Sequence, residues 1–120
     1  MLGYDVHCYR QDVPGRTQPA TWDTAQGASD SGHHDCVAWW SAECGVTQAL
    51  MDALPPDSIV NIGGNGYPSY MTARFAPLLA LLRNEPPNYK RLDGKGQIYD
   101  DIANACSDDE WLILELWDQS

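Results

Sequence analysis

The chain opens on an alternation. Leu2, Tyr4, Val6 and Cys8 fall on one side of an extended backbone, and Asp5, His7 and Tyr9 fall on the other. Period two marks a strand with one drier face, and Pro14-Gly15 closes it. Residues 11–35 are rich in Gln, Thr, Ser, Gly and Asp, with Trp22 the one large apolar side chain, and they predict a long polar loop. From Asp35 to Leu54 the period changes. Val37, Trp40, Cys44, Thr47, Met51 and Leu54 recur at steps of three or four, which predicts a helix capped by Asp35 and stopped by Pro55-Pro56.

Ser58 to Ile62 is a short β-branched run that predicts a buried strand, ended by the turn Gly63-Gly64-Asn65-Gly66. Tyr70 to Phe75 continues either as the return strand of a hairpin or, capped by Ser69, as the start of a helix reaching Arg83. Pro77 favours a strand or turn before it, then a helix from Pro77 to about Asn84. Glu85-Pro86-Pro87-Asn88 reads as a rigid connector and Asp93-Gly94 as a turn. Ile98, Ile102 and Cys106 recur at helical steps, and Trp111 to Trp117 is a strand apolar on both faces. The predicted fold is α/β or α+β: one small domain, residues 1–120, with a three- to four-stranded sheet and two or three helices.

Composition narrows the function classes. With 120 residues, 43% hydrophobic content and five Trp, the chain is too apolar for a disordered acidic tail and long enough for one core. The opening MLGYDVHCYR lacks a basic region followed by an apolar stretch, so a cytoplasmic location is expected. No run approaches the ~20 apolar residues that cross a bilayer, so no membrane partner is expected. Cys8, Cys36, Cys44 and Cys106 are widely spaced, which suits buried thiols better than a disulfide framework.

Charge changes the picture most. The formal net charge is -10, and between Gly96 and Ser120 lie Asp100, Asp101, Asp108, Asp109, Glu110, Glu115 and Asp118 with no Lys or Arg. Charge gathered so unevenly repels phosphate and attracts basic protein. Direct nucleic-acid binding is therefore not expected, and the patch of Tyr89, Lys90 and Arg91 is too small to reverse that.

Catalytic and metal chemistry have one candidate locus, His33-His34-Asp35-Cys36 followed by Cys44. On a helix Cys36 and Cys44 would stand roughly 12 Å apart, too far to share an ion, so no metal and no cofactor are expected. Cys36 at a helix N-terminus with His33 or His34 as base would make a nucleophile pair, the basis of a small hydrolase as an alternative. The Gly63–Gly66 run lacks the Lys of a phosphate-binding loop, and no G-x-S-x-G elbow is present. Trp40 joins the helical stripe. Trp39 lies off it, either packed beneath the long loop or exposed as a contact anchor.

Gly3-Tyr4-Asp5-Val6-His7-Cys8-Tyr9-Arg10 resembles the G-Y-D-L/V-H-x-x-R opening of a set of small uncharacterised bacterial proteins, some of which look like immunity proteins of toxin–immunity pairs. The resemblance covers this opening segment and carries over no functional residue. Together with acidity, size and aromatic content, it leads to the expectation of a non-enzymatic inhibitor that blocks a basic toxin. The partner-binding residues expected are Asp100, Asp101, Asp108, Asp109, Glu110 and Trp39. A phage anti-defence inhibitor mimicking nucleic-acid charge would share these features.

Overall fold

The strand β6, Trp111–Asp118, has no hydrated side from Trp111 to Leu116, where every side chain is buried. Such a strand needs a neighbour on each edge and a layer on each face. The computed structural model, which describes residues 3–30, 35–84, 89 and 95–119, supplies both. A six-stranded sheet has the order β3-β4-β6-β1-β2-β5, so β6 lies between β4 (Ser69–Arg74) and β1 (Tyr4–Arg10). Beyond β4 lies β3 (Ile59–Gly64). Beyond β1 lie β2 (Cys36–Ala42) and the short β5 (Gly96–Ile98). Every ladder is antiparallel.

One face of the sheet carries the main core. Val6, Cys8, Ala38, Trp40, Met71, Ala73, Leu112, Leu114 and Leu116 pack there against Val46 and Leu50 of α2 (Val46–Ala53). Phe75, Leu78 and Leu82 of α3 (Phe75–Asn84) and Ala103 of α4 (Asp100–Ala105) complete that layer. The other face carries a smaller cluster of Tyr9, Tyr70 and Ile113, roofed by Ala20 and by Ala25 of α1 (Trp22–Asp30). The molecule is a small α+β domain: an antiparallel sheet with helices on both faces.

The structure corrects the expected helix over Asp35–Leu54. Its first part is the strand β2, and the helix begins only at Val46, after Gly45 turns the backbone with φ 88°. Val37 and Trp40 fit a helical stripe, but Ala38, Trp40 and Ala42 also alternate. In-register pairing of Ala38 with Cys8 and Trp40 with Val6 decides for the strand. The polar loop expected over 11–35 contains α1. Thr21 and Thr24 cap its start reciprocally, each backbone N–H donating to the other's Oγ1 at 3.2 and 3.3 Å.

Elsewhere the elements follow expectation more closely. The hairpin return is β4, and α3 starts two residues before Pro77, which therefore sits in the first turn, where its missing N–H is harmless. Phe75 and Ala76 donate their N–H groups to the carbonyls of Glu110 and Asp108, which satisfies two donors of that first turn. The segment expected as one helix through Ile98, Ile102 and Cys106 divides into β5 and α4. A bulge between Asn61 and Gly63 interrupts the β3–β4 ladder. The Glu85–Asn88 connector and the Asp93-Gly94 turn lie outside the described residues.

Leu114 is fully buried at the middle of the central strand. Leu114→Ala should lower stability by about 3–4 kcal/mol, read as a shift in the midpoint of urea unfolding with the slope unchanged.

Candidate functional site

The register of an antiparallel sheet decides which chain termini share an end. β1 and β4 finish, and β2, β3 and β6 begin, at the same end, which β5 also reaches through Ile98. The connections there carry Asp12 after β1, Asp35 before β2, Asp57 before β3, Asp100 and Asp101 opening α4, and Asp108 and Asp109 before β6. All are exposed. Carboxylates far apart in sequence thus converge at one end of the molecule. The cations near them are mostly engaged. Arg16 reaches Asp12 at 3.7 Å, Arg83 reaches Asp100 at 3.6 Å, and the Arg74 guanidinium lies 5.3 Å from the centre of the Trp111 ring.

Of the residues expected to bind a partner, Asp100, Asp101, Asp108 and Asp109 stand on this end. Glu110 does not belong with them: it is 1% exposed and turned inward. Arg10 Nε and Nη2 donate to its two oxygens at 2.7 and 2.8 Å, and the Ser107 N–H donates at 3.3 Å. Burial alone would raise the Glu110 carboxyl, but Arg10 and the backbone N–H groups of Ser107 and Gly15 hold it below the usual carboxylate range. Its role is to tie the end of β1 to the start of β6. Trp39 is half-buried on the sheet face opposite the main core, with its ring stacked on His7 at 6.4 Å between centroids.

That second face has two further features. The first is Glu115, fully buried on β6 between His7 of β1 and Tyr70 of β4. The Tyr9 hydroxyl donates to its Oε2 at 3.0 Å, and Trp117 Nε1 donates to its Oε1 at 2.6 Å. Burial and then the Glu115 charge push the Tyr9 phenol well above its ordinary pKa, so Tyr9 serves as a neutral donor. These contacts hold the carboxylate within the sheet.

The second feature is a pair of cavities flanking α1. On one side Trp22 and Gln26, four residues apart on the helix, face Asn65, Tyr67, Pro68 and Tyr70 around a space of about 420 Å³. Trp22 is 39% and Tyr67 56% exposed, and Trp22 meets Tyr70 edge-on with ring centres 5.2 Å apart. On the other side Asp23, Thr24, Gly27 and Ala28 of α1 face Arg10, Gln11, Asp12 and Asp35 around a space of about 400 Å³. This second cavity opens at the acidic end of the sheet. Trp22, Gln11 and Asp23 give no site signal in the sequence because 11–35 lacks helical periodicity; the Thr21–Thr24 pair is the local signal for α1.

The helix N-terminus expected at Cys36 is not there. Cys36 opens a strand, so no helix dipole acts on it, and burial, partly offset by a backbone hydrogen bond at Ala38, raises its thiol pKa. Cys44 lies beyond the far end of β2 rather than two helical turns away. His33, His34, Lys90 and Arg91 lie outside the described residues. Among the described residues no group of His, Cys, Asp and Glu is arranged to hold a metal ion, and no helix is long and apolar enough to cross a membrane.

Because Glu110 titrates below its unfolded-state value, its stabilising contribution is complete above the ordinary carboxylate pKa. It is lost as pH falls through the depressed folded value. Arg10→Met should cost about 3 kcal/mol near neutral pH by stranding a buried carboxylate. That deficit should shrink toward pH 4 as the stranded Glu110 protonates, measured as urea midpoints across pH; a pH-independent deficit would point to lost packing instead. Thiol alkylation provides a second check: exposed Cys44 should react first, Cys36 slowly at pH 6, and buried Cys8 only on unfolding. No family model matches the chain, and no curated protein and no solved structure matches it either.

Proposed function

We propose that this chain is a non-enzymatic, acidic protein-binding inhibitor, an immunity protein that neutralises a bacterial toxin by covering its basic surface or active site. The observation that carries this is the convergence of Asp12, Asp35, Asp57, Asp100, Asp101, Asp108 and Asp109 on one end of the sheet. A low-dielectric body with one strongly negative end steers a cationic protein toward that end and orients it before contact. The aromatic cavity lies on the other flank of α1 and runs to the β3–β4 turn, at the opposite end of the sheet from the acidic loops, and Trp22 and Tyr67 supply there exposed rigid apolar surface of the kind that anchors interfaces. Charge then sets the approach, and the aromatics supply the burial that slows dissociation.

The test combines genetics and kinetics. Expression of the open reading frame beside this gene should arrest bacterial growth, and co-expression of this chain should restore it. D101K/D108K/D109K alters exposed side chains only, so its thermal unfolding should stay close to wild type. Its association rate with the purified neighbour should fall about tenfold or more at low salt, and the salt dependence should flatten. Unchanged rate and salt slope, or a neighbour that arrests nothing, would refute the proposal.

A further inference from the structure

We propose that the aromatic cavity between α1 and the β3–β4 turn is a receptor for a proline-rich segment in polyproline II form, carried by the basic partner. The identity of the carrier rests on the inhibitor function proposed above, and the cavity itself supplies the chemistry of the segment. Among the described residues four large hydrophobic side chains are exposed, and two of them, Trp22 and Tyr67, line this one space. Exposed apolar side chains scattered singly need no explanation. A pair converging on a hollow of about 420 Å³ does.

The walls are fixed before any ligand arrives. On one side Trp22 meets Tyr70 edge-on, and Tyr70 is buried, so the indole is braced by a ring of the sheet. On the other side Asn65 Oδ1 accepts from the Tyr67 N–H at 3.0 Å, and Ser69 Oγ accepts from the Gly66 N–H at 2.9 Å. The Gly66 carbonyl accepts from the Asp118 N–H at 2.7 Å, which ties the turn to β6. A preformed site gives up little freedom on binding.

The polar groups then select the ligand. No charged side chain lines the space, in a chain of net charge -10, so the walls provide for neither an anion nor a cation. Trp22 and Tyr70 touch, which leaves no gap between their rings for a methylated ammonium group. With its Oδ1 committed, Asn65 has its NH₂ left to offer, and the Trp22 indole N–H is a donor by nature. Neither of these donors, nor the amide of Gln26, has a partner among the described residues, and all three side chains are exposed. Donors thus outnumber acceptors around an aromatic hollow. A sugar hydroxyl brings a donor with every acceptor, whereas a run of prolines offers carbonyls and apolar rings with no backbone N–H. Such a run is already extended and docks on aromatic surfaces at little ordering cost. Extension matters here, because the cavity and the acidic loops stand at opposite ends of the sheet. β6 has eight residues, ~26 Å of strand at ~3.3 Å per residue, a span that about eight or nine residues of polyproline II cover at ~3.1 Å each.

The test is titration of the full chain with N-acetyl-decaproline amide, followed by two-dimensional NMR of backbone, indole and side-chain amide N–H groups. Saturable shifts are expected at the Trp22 indole, Gln26, Asn65 and Tyr67. A capped Gly/Ser peptide of equal length and maltohexaose should produce none. Tyr67→Ala removes an exposed side chain, so thermal unfolding should stay close to wild type while decaproline binds about tenfold more weakly. Asn65→Asp keeps the acceptor for the Tyr67 N–H and removes two donors, and against an uncharged probe it should weaken binding several-fold. With the purified neighbour, Tyr67→Ala should speed dissociation about tenfold and leave association rate and salt slope unchanged, the opposite of D101K/D108K/D109K. Equal response to the Gly/Ser peptide, saturable shifts with maltohexaose, or full decaproline affinity in both single variants would overturn the proposal. Failure of decaproline, with growth rescue still lost in D101K/D108K/D109K, would remove the cavity and leave the inhibitor function standing. Decaproline bound at the cavity without a toxin neighbour would do the reverse.

Discussion

A strand that offers no side to water has to be roofed twice, and the two roofs over β6 are unequal. Leu112, Leu114 and Leu116 face three helices and a large aliphatic core. Ile113 and Glu115 face outward from that core, where the only helical cover among the described residues is α1, resting on Ala25. A helix that touches the sheet through Ala25, with Trp22 edge-on to Tyr70 at its first residue, makes a small footprint. It closes over Tyr9 and Tyr70 and leaves space on each flank, and those two spaces are the cavities at Trp22 and at Asp23. The same thin cover explains why a carboxylate at the centre of the sheet is held by side chains of the sheet itself, with Tyr9 and Trp117 as donors.

The acidic end follows from topology. Strands running alternately up and down bring loops from five parts of the chain to one end, so a moderate acid content in each becomes a strong local field. Self-repulsion there opposes folding. The Arg10–Glu110 pair lies at the base of that end, with Asp35 close enough to act on Arg10, and joins two neighbouring strands where the surrounding charges push them apart. Two of the carboxylates in the dense C-terminal run, Glu110 and Glu115, thus work as structure, while Asp108 and Asp109 face solvent.

Several elements were legible because their patterns admit one interpretation. The alternation through Tyr4, Val6 and Cys8, the doubly apolar β6 and the Leu-rich α3 behind Pro77 all stand where the periodicity puts them. The misses have physical causes. Cys36 to Ala42 is short and apolar enough to satisfy both periods, and only pairing with β1 separates them. The α1 helix has almost no apolar stripe because alanine against tyrosine suffices for its packing, so periodicity is silent and only its threonine cap speaks. β5 has three residues, too few for any pattern, and with β2 misread the sheet looked smaller than it is. For the site, exposure of Asp100, Asp101, Asp108 and Asp109 accords with their lack of apolar neighbours. The inward turn of Glu110 depends on Arg10, 100 residues away, which no local reading reaches.

The margins of the sheet limit how another molecule can engage it. One border strand, β5, is three residues long, and the other, β3, is broken by its bulge and ends in two glycines with φ of 118° and 128°. Neither presents a long straight row of backbone donors and acceptors, so sheet extension by a foreign strand is discouraged at both borders. Recognition at these two borders then falls to side chains, and variants of the acidic loops can change the surface without touching the hydrogen-bonded frame beneath.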